Sequence, residues 1–232
     1  MKKTLLSILI AAAFAPVLAQ AEAGDIVVRL RAVDVSPNED SKLGTTVNNA
    51  LGATVMSPGA ELAVDSNLIP ELDISYYFTK NIAAELILAL GTRHDVSVKG
   101  DALATVTNQN LGSVNLLPPT LTVQWHFNPD QTFDPYIGAG VTYSRSLDHN
   151  LTFQKGALTG QPIKIDDNMF GAAIQAGLDI NLKDGWLINA DVKYAWLDTD
   201  VKAQLAPGAA WTKIDSLNID PWVIGIGIGK KF

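Results

Sequence analysis

From residue 24 onward, apolar and polar side chains alternate along the chain with a period of two, which is the pattern of β-strands with two different faces. In the last segment, from Trp222 to Phe232, the even positions are large except Lys230, and three of the odd positions are glycine. No segment shows a competing helical pattern. The predicted strands are residues 24–33, 67–79, 81–98, 116–127, 135–145, 169–181, 186–200 and 222–232.

The connections between these strands alternate in length. The short ones are 79–80, 128–134 and 182–185, and the long ones are roughly 34–66, 99–115, 146–168 and 201–216. Short turns on one side and long loops on the other are typical of bacterial outer-membrane barrels. The predicted fold class is therefore all-β: an eight-stranded antiparallel transmembrane up-and-down β-barrel with short periplasmic turns and four long extracellular loops.

Aromatic residues collect at both ends of the predicted strands. The short-turn ends carry Tyr76, Phe78, Trp125, Phe127, Trp186 and Phe232, and the long-loop ends carry Tyr143, Phe170, Tyr194, Trp196 and Trp222. Two such belts around aliphatic positions match the two interfaces of a bilayer. A soluble barrel would instead turn its polar face outward. The apolar face is therefore predicted to meet lipid, and the charged and glycine-rich face to line a narrow lumen.

The N-terminus predicts export. Met1-Lys2-Lys3 precedes a short apolar stretch from Leu5 to Leu18, and Ala19-Gln20-Ala21 forms a small-residue cleavage site, with Ala23 as an alternative end. This is the pattern of a secretory signal peptide. Residues 1–21 are predicted to be removed, leaving residues 22–232 as a single barrel domain. No other segment has about 18 unbroken apolar residues, so no transmembrane helix is predicted.

Charge and cysteine content narrow the function classes. Removing residues 1–21 deletes two lysines, which leaves 15 basic and 24 acidic residues and a net charge of −9. An acidic exported chain is a poor candidate for nucleic-acid binding. The absence of cysteine excludes disulfides and cysteine-based metal sites. No metal or other cofactor is expected.

Several strings resemble the OmpW/AlkL family of small outer-membrane barrels. They are LPPTLTVQWHF (117–127), DPYIGAGVTYS (134–144), GLDINLKDGWLINADVKY (177–194), and VKAQL with TKIDSLNIDPWVIGIGIGKKF (within 201–232). The resemblance implies passive uptake of small hydrophobic molecules past the lipopolysaccharide, with sideways release through the barrel wall into the outer leaflet. It also implies that the barrel is a monomer and that outer-membrane lipids and lipopolysaccharide surround it. Phe232 resembles the terminal signal read by the barrel assembly machinery.

Face parity sends charged side chains of both signs into the predicted lumen. They are Arg29, Arg31, Glu71, Asp73, Glu85, Asp179, Asp191 and Lys193. Eight strands leave barely enough room for such side chains, and buried charges must pair or become neutral. We therefore expect an ionic plug in the periplasmic half rather than a wide aqueous pore. A carboxylate cluster could also form a catalytic dyad or a metal site, but the interleaved basic partners favour structural pairing.

Two features suggest how a solute could pass. Pro118 and Pro119 stand at the extracellular start of the fourth predicted strand, and proline donates no N–H to a ladder. They could mark a lateral opening, or they could merely terminate the strand. Apolar loop residues could line a funnel above the plug, or could only pack the loops together. These candidates are Leu51, Val55, Met56 and Trp211.

Catalytic alternatives find little support in the sequence. His94 and His149 lie toward the extracellular end and His126 toward the periplasmic end, so they share no metal site. His94 and Ser97 are close in sequence, but a spacing of three puts them on opposite faces of a strand. We therefore do not expect an enzyme. The main alternative to uptake is a structural or adhesive surface barrel whose long loops bind a partner.

Overall fold

The computed structural model describes residues 22–89, 92–104 and 108–232, so the predicted signal peptide, residues 1–21, lies outside the described residues. The described elements, in chain order, are β1 (Ile26–Ser36), α1 (Leu43–Leu51), β2 (Glu61–Val64), β3 (Asn67–Tyr77), β4 (Ile82–Ala89), β5 (Thr92–Lys99), β6 (Asn108–Leu117), β7 (Thr120–His126), β8 (Phe133–Thr152), β9 (Pro162–Ile165), β10 (Asn168–Asn181), β11 (Trp186–Trp196), β12 (Asp198–Gln204), β13 (Trp211–Asn218) and β14 (Trp222–Lys231). Short 3₁₀ turns cover Ala102–Ala104 and Lys183–Gly185.

Eight of these strands close into an antiparallel barrel. Their order around the barrel is β1, β3, β4, β7, β8, β10, β11 and β14, and β14 pairs again with β1. The seam is completed by the chain ends: the Ile26 amide donates to the Phe232 carbonyl at 3.2 Å, and the Phe232 amide donates to the Ile26 carbonyl at 2.9 Å. The predicted eight-stranded barrel is confirmed. No helix within the described ranges is long and apolar enough to span a membrane.

The alternation of the last strand follows from its two surroundings. Ile224, Ile226 and Ile228 point outward and are 57%, 68% and 55% exposed, as expected for side chains that face lipid. The glycines between them face inward. A Cβ at Gly227 would lie 2.2 Å from the Leu30 carbonyl oxygen and 2.9 Å from Cγ of Arg31. Glycine is therefore required where the backbone and a large lumen side chain approach this closely.

Above the barrel, the long connections contain a second layer of structure that the sequence analysis did not predict. The described strands β4 and β5 both fall within the predicted strand 81–98, and residues 90 and 91 between them lie outside the described residues. β5 pairs with β2 and β6, and β12 pairs with β9 and β13. β8 extends upward to join β6 and β9 to the barrel. We call this layer the extracellular extension, comprising α1, β2, β5, β6, β9, β12, β13 and the upper part of β8.

The polarity of the two strand faces reverses in the extracellular extension. In β12, Val201 and Ala203 are buried and Lys202 between them is partly exposed. In β5, Val96 and Val98 are buried whereas Lys99 is exposed. Because water rather than lipid surrounds this layer, its apolar side chains turn inward. They form the largest cluster of buried apolar residues in the described part of the chain.

Candidate functional site

The structure brings the eight charged residues of the predicted lumen into one buried group, which we call the charged cluster: Arg29, Arg31, Glu71, Asp73, Glu85, Asp179, Asp191 and Lys193. Arg29 donates to Asp179 at 2.5 Å and to Glu85 at 3.2 Å. It also donates to the Ser75 hydroxyl at 2.6 Å. β1 delivers Arg29 to the lumen axis because every second residue of the strand faces inward.

Arg31 occupies the next inward position of β1 and contacts four carboxylates. Its guanidinium lies 2.8 Å from Glu85 and 3.2 Å from Glu71. The other distances are 3.0 Å to Asp73 and 3.5 Å to Asp191. A planar group with five donors suits this arrangement better than a single ammonium would.

Lys193 and two amides complete the charged cluster. The Lys193 ammonium donates to Glu71 at 2.9 Å and to Asp191 at 2.8 Å. The second oxygen of Glu85 accepts from Gln124 at 2.8 Å and from Gln175 at 3.0 Å. Every charged member therefore has an opposite charge within contact distance, as burial of charges requires.

Below the charged cluster, polar residues near the periplasmic end form a group that sequence reasoning did not assemble. His126 contacts Asp134 at 2.7 Å, and Tyr136 donates to Asp191 at 2.7 Å. One ligand atom each from His126, Asp134 and Asp179 lies within 4.8 Å of the others, which is close enough for a metal ion. Both oxygens of Asp179 already accept hydrogen bonds from Arg29. Ion pairing with Arg29 therefore already occupies the carboxylate that this group of three would offer to a metal.

Above the charged cluster lies a cavity of about 1200 Å³, counting the part open to solvent, which we call the upper cavity. Its lining is mainly apolar and comes from both the barrel and the extracellular extension. The apolar lining includes Val35, Leu62, Ile69, Ile87, Val96, Leu111, Val114, Leu151, Ile163, Val201, Leu217 and Val223. Its lower end reaches Glu71 and Lys193 of the charged cluster. The lumen thus changes from apolar to ionic over a short distance.

The described pairing of the cavity wall has a gap beside the two prolines. Between β4 and the β6–β7 chain, the last described pair is Ile87 with Thr120 and the next is Thr92 with Leu116, and residues 90 and 91 lie outside the described residues. We call the intervening gap, with Ala89 on one side and Pro118 and Pro119 on the other, the proline window. Ala89 and Pro118 both line the upper cavity. On its other side the chain stays attached to β8, because the Tyr143 amide donates to the Pro119 carbonyl at 3.0 Å.

The loop residues considered as a funnel lining lie outside the lining of the upper cavity. Met56 is buried in the apolar cluster, and Val55 packs partly against that cluster. Leu51 is 37% exposed at the end of α1. Trp211 is 41% exposed, and the Lys164 ammonium lies 4.5 Å from its ring centre. The part of the lining that the extracellular extension supplies comes from inward positions of its strands.

The histidines and the nearby serine are also placed by the fold. His94 lines the upper cavity, and its Nδ1 donates to the Asp65 carbonyl at 2.8 Å. Ser97 lies on the outward face of β5, so the two share no site, as their spacing indicated. His126 lies at the opposite end of the lumen.

Comparisons with known proteins agree with this architecture. The family model described as OmpW family matches residues 22–232. The chain belongs to the OmpW family. Outer membrane protein W of Vibrio cholerae is 34% identical over 235 residues, which covers all of both chains. The crystal structure of the outer membrane protein OprG from Pseudomonas aeruginosa superposes with a TM-score of 0.76 and 30% identity, covering 93% of this chain and 99% of that one.

Family membership gives the barrel its location. The relatives are outer-membrane proteins, so this OmpW-family barrel lies in the outer membrane of Gram-negative bacteria. The apolar outer face therefore meets lipid.

A more distant relative is the dibenzothiophene metabolism operon protein PahQ of Pseudomonas aeruginosa, which is 26% identical over 178 residues, or 75% of this chain and 76% of that protein.

Proposed function

We propose that this barrel is a passive conduit that takes small hydrophobic molecules from outside the cell and releases them sideways into the outer membrane. The observation that carries the proposal is the combination of an apolar upper cavity, an ionic floor beneath it, and an interrupted wall beside it. A hydrophobic solute would gain free energy on entering the cavity because its surface leaves water.

The charged cluster supports sideways rather than downward release. A hydrophobic solute moving straight down would have to separate ion pairs such as Arg31 with Glu85, which are fully buried and 2.8 Å apart. Breaking one partner out of a buried pair costs about 3 to 5 kcal/mol, and an apolar molecule offers nothing in return. The cluster therefore acts as the closed floor of the conduit.

The proline window supports the exit. An unpaired backbone facing hydrocarbon is costly unless another group reaches it, and proline avoids part of that cost because it has no N–H. Ala89 and Pro118 line the cavity on the two sides of the proline window. Among the described residues, neither Leu88 nor Ala89 forms a ladder pair with Pro118 or Pro119. A solute moving outward between them would therefore separate side chains rather than ladder hydrogen bonds. The window also lies toward the extracellular end of the barrel, so release would reach the outer leaflet.

The PahQ relative supports the class of solute. Its printed name connects that protein with the metabolism of dibenzothiophene, a fused aromatic molecule with low water solubility. That this barrel carries molecules of the same class is part of the proposal. The predominantly aliphatic cavity lining has no charged residue in its upper part, which suits an apolar ring system as well as an alkane.

The test is uptake of n-octane and dibenzothiophene by cells that make the protein, compared with cells that lack it. A Pro118→Ala, Pro119→Ala variant supplies one N–H group, at position 118, that can pair with β4, whereas position 119 faces β8. Its uptake should therefore fall. Pro207→Ala, in an exposed turn, is the matched control and should retain normal uptake. Equal uptake with and without the protein would reject the conduit and favour a barrel whose loops bind a surface partner.

A further inference from the structure

One side chain of the upper cavity is not explained by apolar packing. Ser144 on β8 lines the cavity and is fully buried. Its hydroxyl oxygen has no hydrogen-bond partner among the described residues. An unpaired buried hydroxyl is unfavourable, and buried polar groups are nearly always satisfied by protein, water or ligand. Ser144 therefore marks a place where the cavity can satisfy a polar atom of its occupant.

The other polar side chains that line the upper cavity already have partners. The Thr92 hydroxyl donates to the Leu116 carbonyl, His94 donates to the Asp65 carbonyl, and the Thr199 hydroxyl accepts from the Asp166 amide. Thr142, the next inward residue below Ser144 on β8 and about 7 Å along the strand, accepts from the Thr120 hydroxyl at 2.9 Å. Below these two threonines, the cavity ends at Glu71 and Lys193.

The charge at this end discriminates between types of polar group. The charged cluster contains three basic and five acidic residues, so its formal charge is negative. The nearest cation, Lys193, already donates to Glu71 and Asp191. A carboxylate entering from above would meet a net negative field without a free partner. An uncharged group that both donates and accepts would need only the Ser144 hydroxyl.

We propose that the preferred occupants of the upper cavity are amphiphiles with a single uncharged hydrogen-bonding head, such as medium-chain alcohols, bound with the head at Ser144 and the chain among the apolar walls. This inference rests on the proposed conduit function and specifies its solutes. Plain alkanes enter the same cavity but leave the Ser144 hydroxyl unpaired. Long-chain carboxylates are rejected by the charge below.

The experiment measures binding of 1-octanol, n-octane and octanoate to the full-length mature barrel in lipid nanodiscs. Backbone amide chemical shifts of β8 report occupancy, and a fixed lipid concentration keeps the partition of each ligand into lipid the same for every variant. Relative to the wild type, Ser144→Ala should weaken 1-octanol binding by about five- to tenfold, the value of one hydrogen bond. Binding of n-octane should be unchanged.

Thr122→Val is the matched control. Thr122 is also buried with an unpartnered hydroxyl, but it does not line the upper cavity, so 1-octanol binding should be unaffected. Migration of unheated protein on a denaturing gel verifies that each variant has formed a barrel. Equal loss of octanol and octane binding in Ser144→Ala, or octanoate binding as tight as octanol, would overturn the inference.

The two proposals fail in different ways. If n-octane binds and is taken up but alcohols gain nothing from Ser144, only the head-group inference falls. If neither n-octane nor 1-octanol shifts the β8 amides and uptake does not depend on the protein, the conduit itself is rejected. Binding of 1-octanol that depends on Ser144 supports both.

Discussion

The lower lumen and the upper cavity lie within the same barrel, yet their inner surfaces have opposite chemistry. In the lower lumen, Arg29 and Arg31 are buried among carboxylates. In the upper cavity, residues such as Leu111 and Val201 face an open space. The difference follows from the solvent outside. Where lipid surrounds the barrel, polar side chains can only turn inward, and where water surrounds it, apolar side chains do so.

The largest expected effect is on solute uptake, and it comes from sealing the proline window in the wall of the upper cavity. Cysteines at Ala89 and Pro118 would face each other across the proline window, and the chain has no other cysteine. A disulfide bridges Cα atoms about 4.4 to 6.8 Å apart and would hold the two strands together. Uptake of n-octane should then fall to the level of cells without the protein, and a reductant should restore it.

Ala89→Cys alone is a control for the sealed window and should transport normally under both redox conditions. Pro118→Cys alone adds an N–H at position 118, so its uptake should equal that of the reduced double variant and should not respond to the reductant. Normal uptake through a fully oxidised double variant would show that solute leaves by another route.

The next largest effect is on stability in the lower lumen. Arg31→Met removes the cation shared by several buried carboxylates, so the free energy of unfolding should fall by about 3 to 5 kcal/mol. The measurement is urea unfolding in lipid vesicles followed by tryptophan fluorescence. Arg93→Met, on the exposed face of β5, should change the same quantity by less than about 0.5 kcal/mol. A similarly small loss of unfolding free energy in both variants would show that the ion pairs of the charged cluster contribute little to stability.

A smaller loss of unfolding free energy is expected in the extracellular extension, where two buried leucines have different surroundings. Leu43 and Leu217 belong to the same buried cluster, but only Leu217 lines the upper cavity. Leu43→Ala should lower the free energy of unfolding by about 2 to 5 kcal/mol. The loss for Leu217→Ala should be near the lower end of this range, because part of the Leu217 side chain already faces empty space. Hydrogen exchange of the β13 amides measures both. A larger cost for Leu217→Ala would mean that the cavity is filled or collapsed in the membrane.

The smallest effect tests an ion pair on the water-exposed rim. The Lys202 ammonium lies 2.9 Å from Asp166, close to the 2.8 Å between Lys193 and Asp191 in the lumen, but the rim pair is partly exposed. The hydrogen bond that Lys202 donates to Asp166 lowers the pKa of Asp166, and the same bond raises the pKa of Lys202. Asp166→Asn should therefore change stability by less than about 1 kcal/mol, because solvent screens the pair.

The pH dependence of the rim pair has a defined sign. A carboxyl with a lowered pKa in the folded state contributes stability above its ordinary pKa and loses it as the pH falls through the lowered value. The protection factors of the β9 and β12 amides, corrected for the intrinsic pH dependence of exchange, should therefore fall in the wild type as the pH drops through the lowered pKa of Asp166. Asp166→Asn should remove this acid sensitivity. An unchanged acid response in the variant would assign it to other carboxyls.

Much of the barrel could be predicted because the period-two rule is rigid within the membrane. Once the outward face is apolar, the positions of Arg29, Glu85 and Lys193 on the inner face follow from counting. The upper cavity could not be predicted in this way. Its strands carry register shifts between Val96 and Ser97 and between Val201 and Lys202, which interrupt the alternation, and its apolar face turns inward.

The sequence left two interpretations of the apolar loop residues open, for a related reason. Met56 is held by its neighbours in the loop, where the Asn48 side chain accepts from the Met56 amide at 3.0 Å and donates to the Met56 carbonyl at 2.9 Å. Its burial among other apolar residues depends on how α1 docks, and nothing in the local sequence shows that. Ser144 was missed because one hydroxyl on an inward face is common; only the enclosing cavity shows that it lacks a partner.

The reciprocal hydrogen bonds between Ile26 and Phe232 belong to the pairing of β1 with β14, two strands at opposite ends of the described sequence. Until β14 is in place, the sheet has two open edges, so a fragment that lacks β14 cannot reach the native pairing. A truncation within β14 therefore harms β1 as directly as it harms β14.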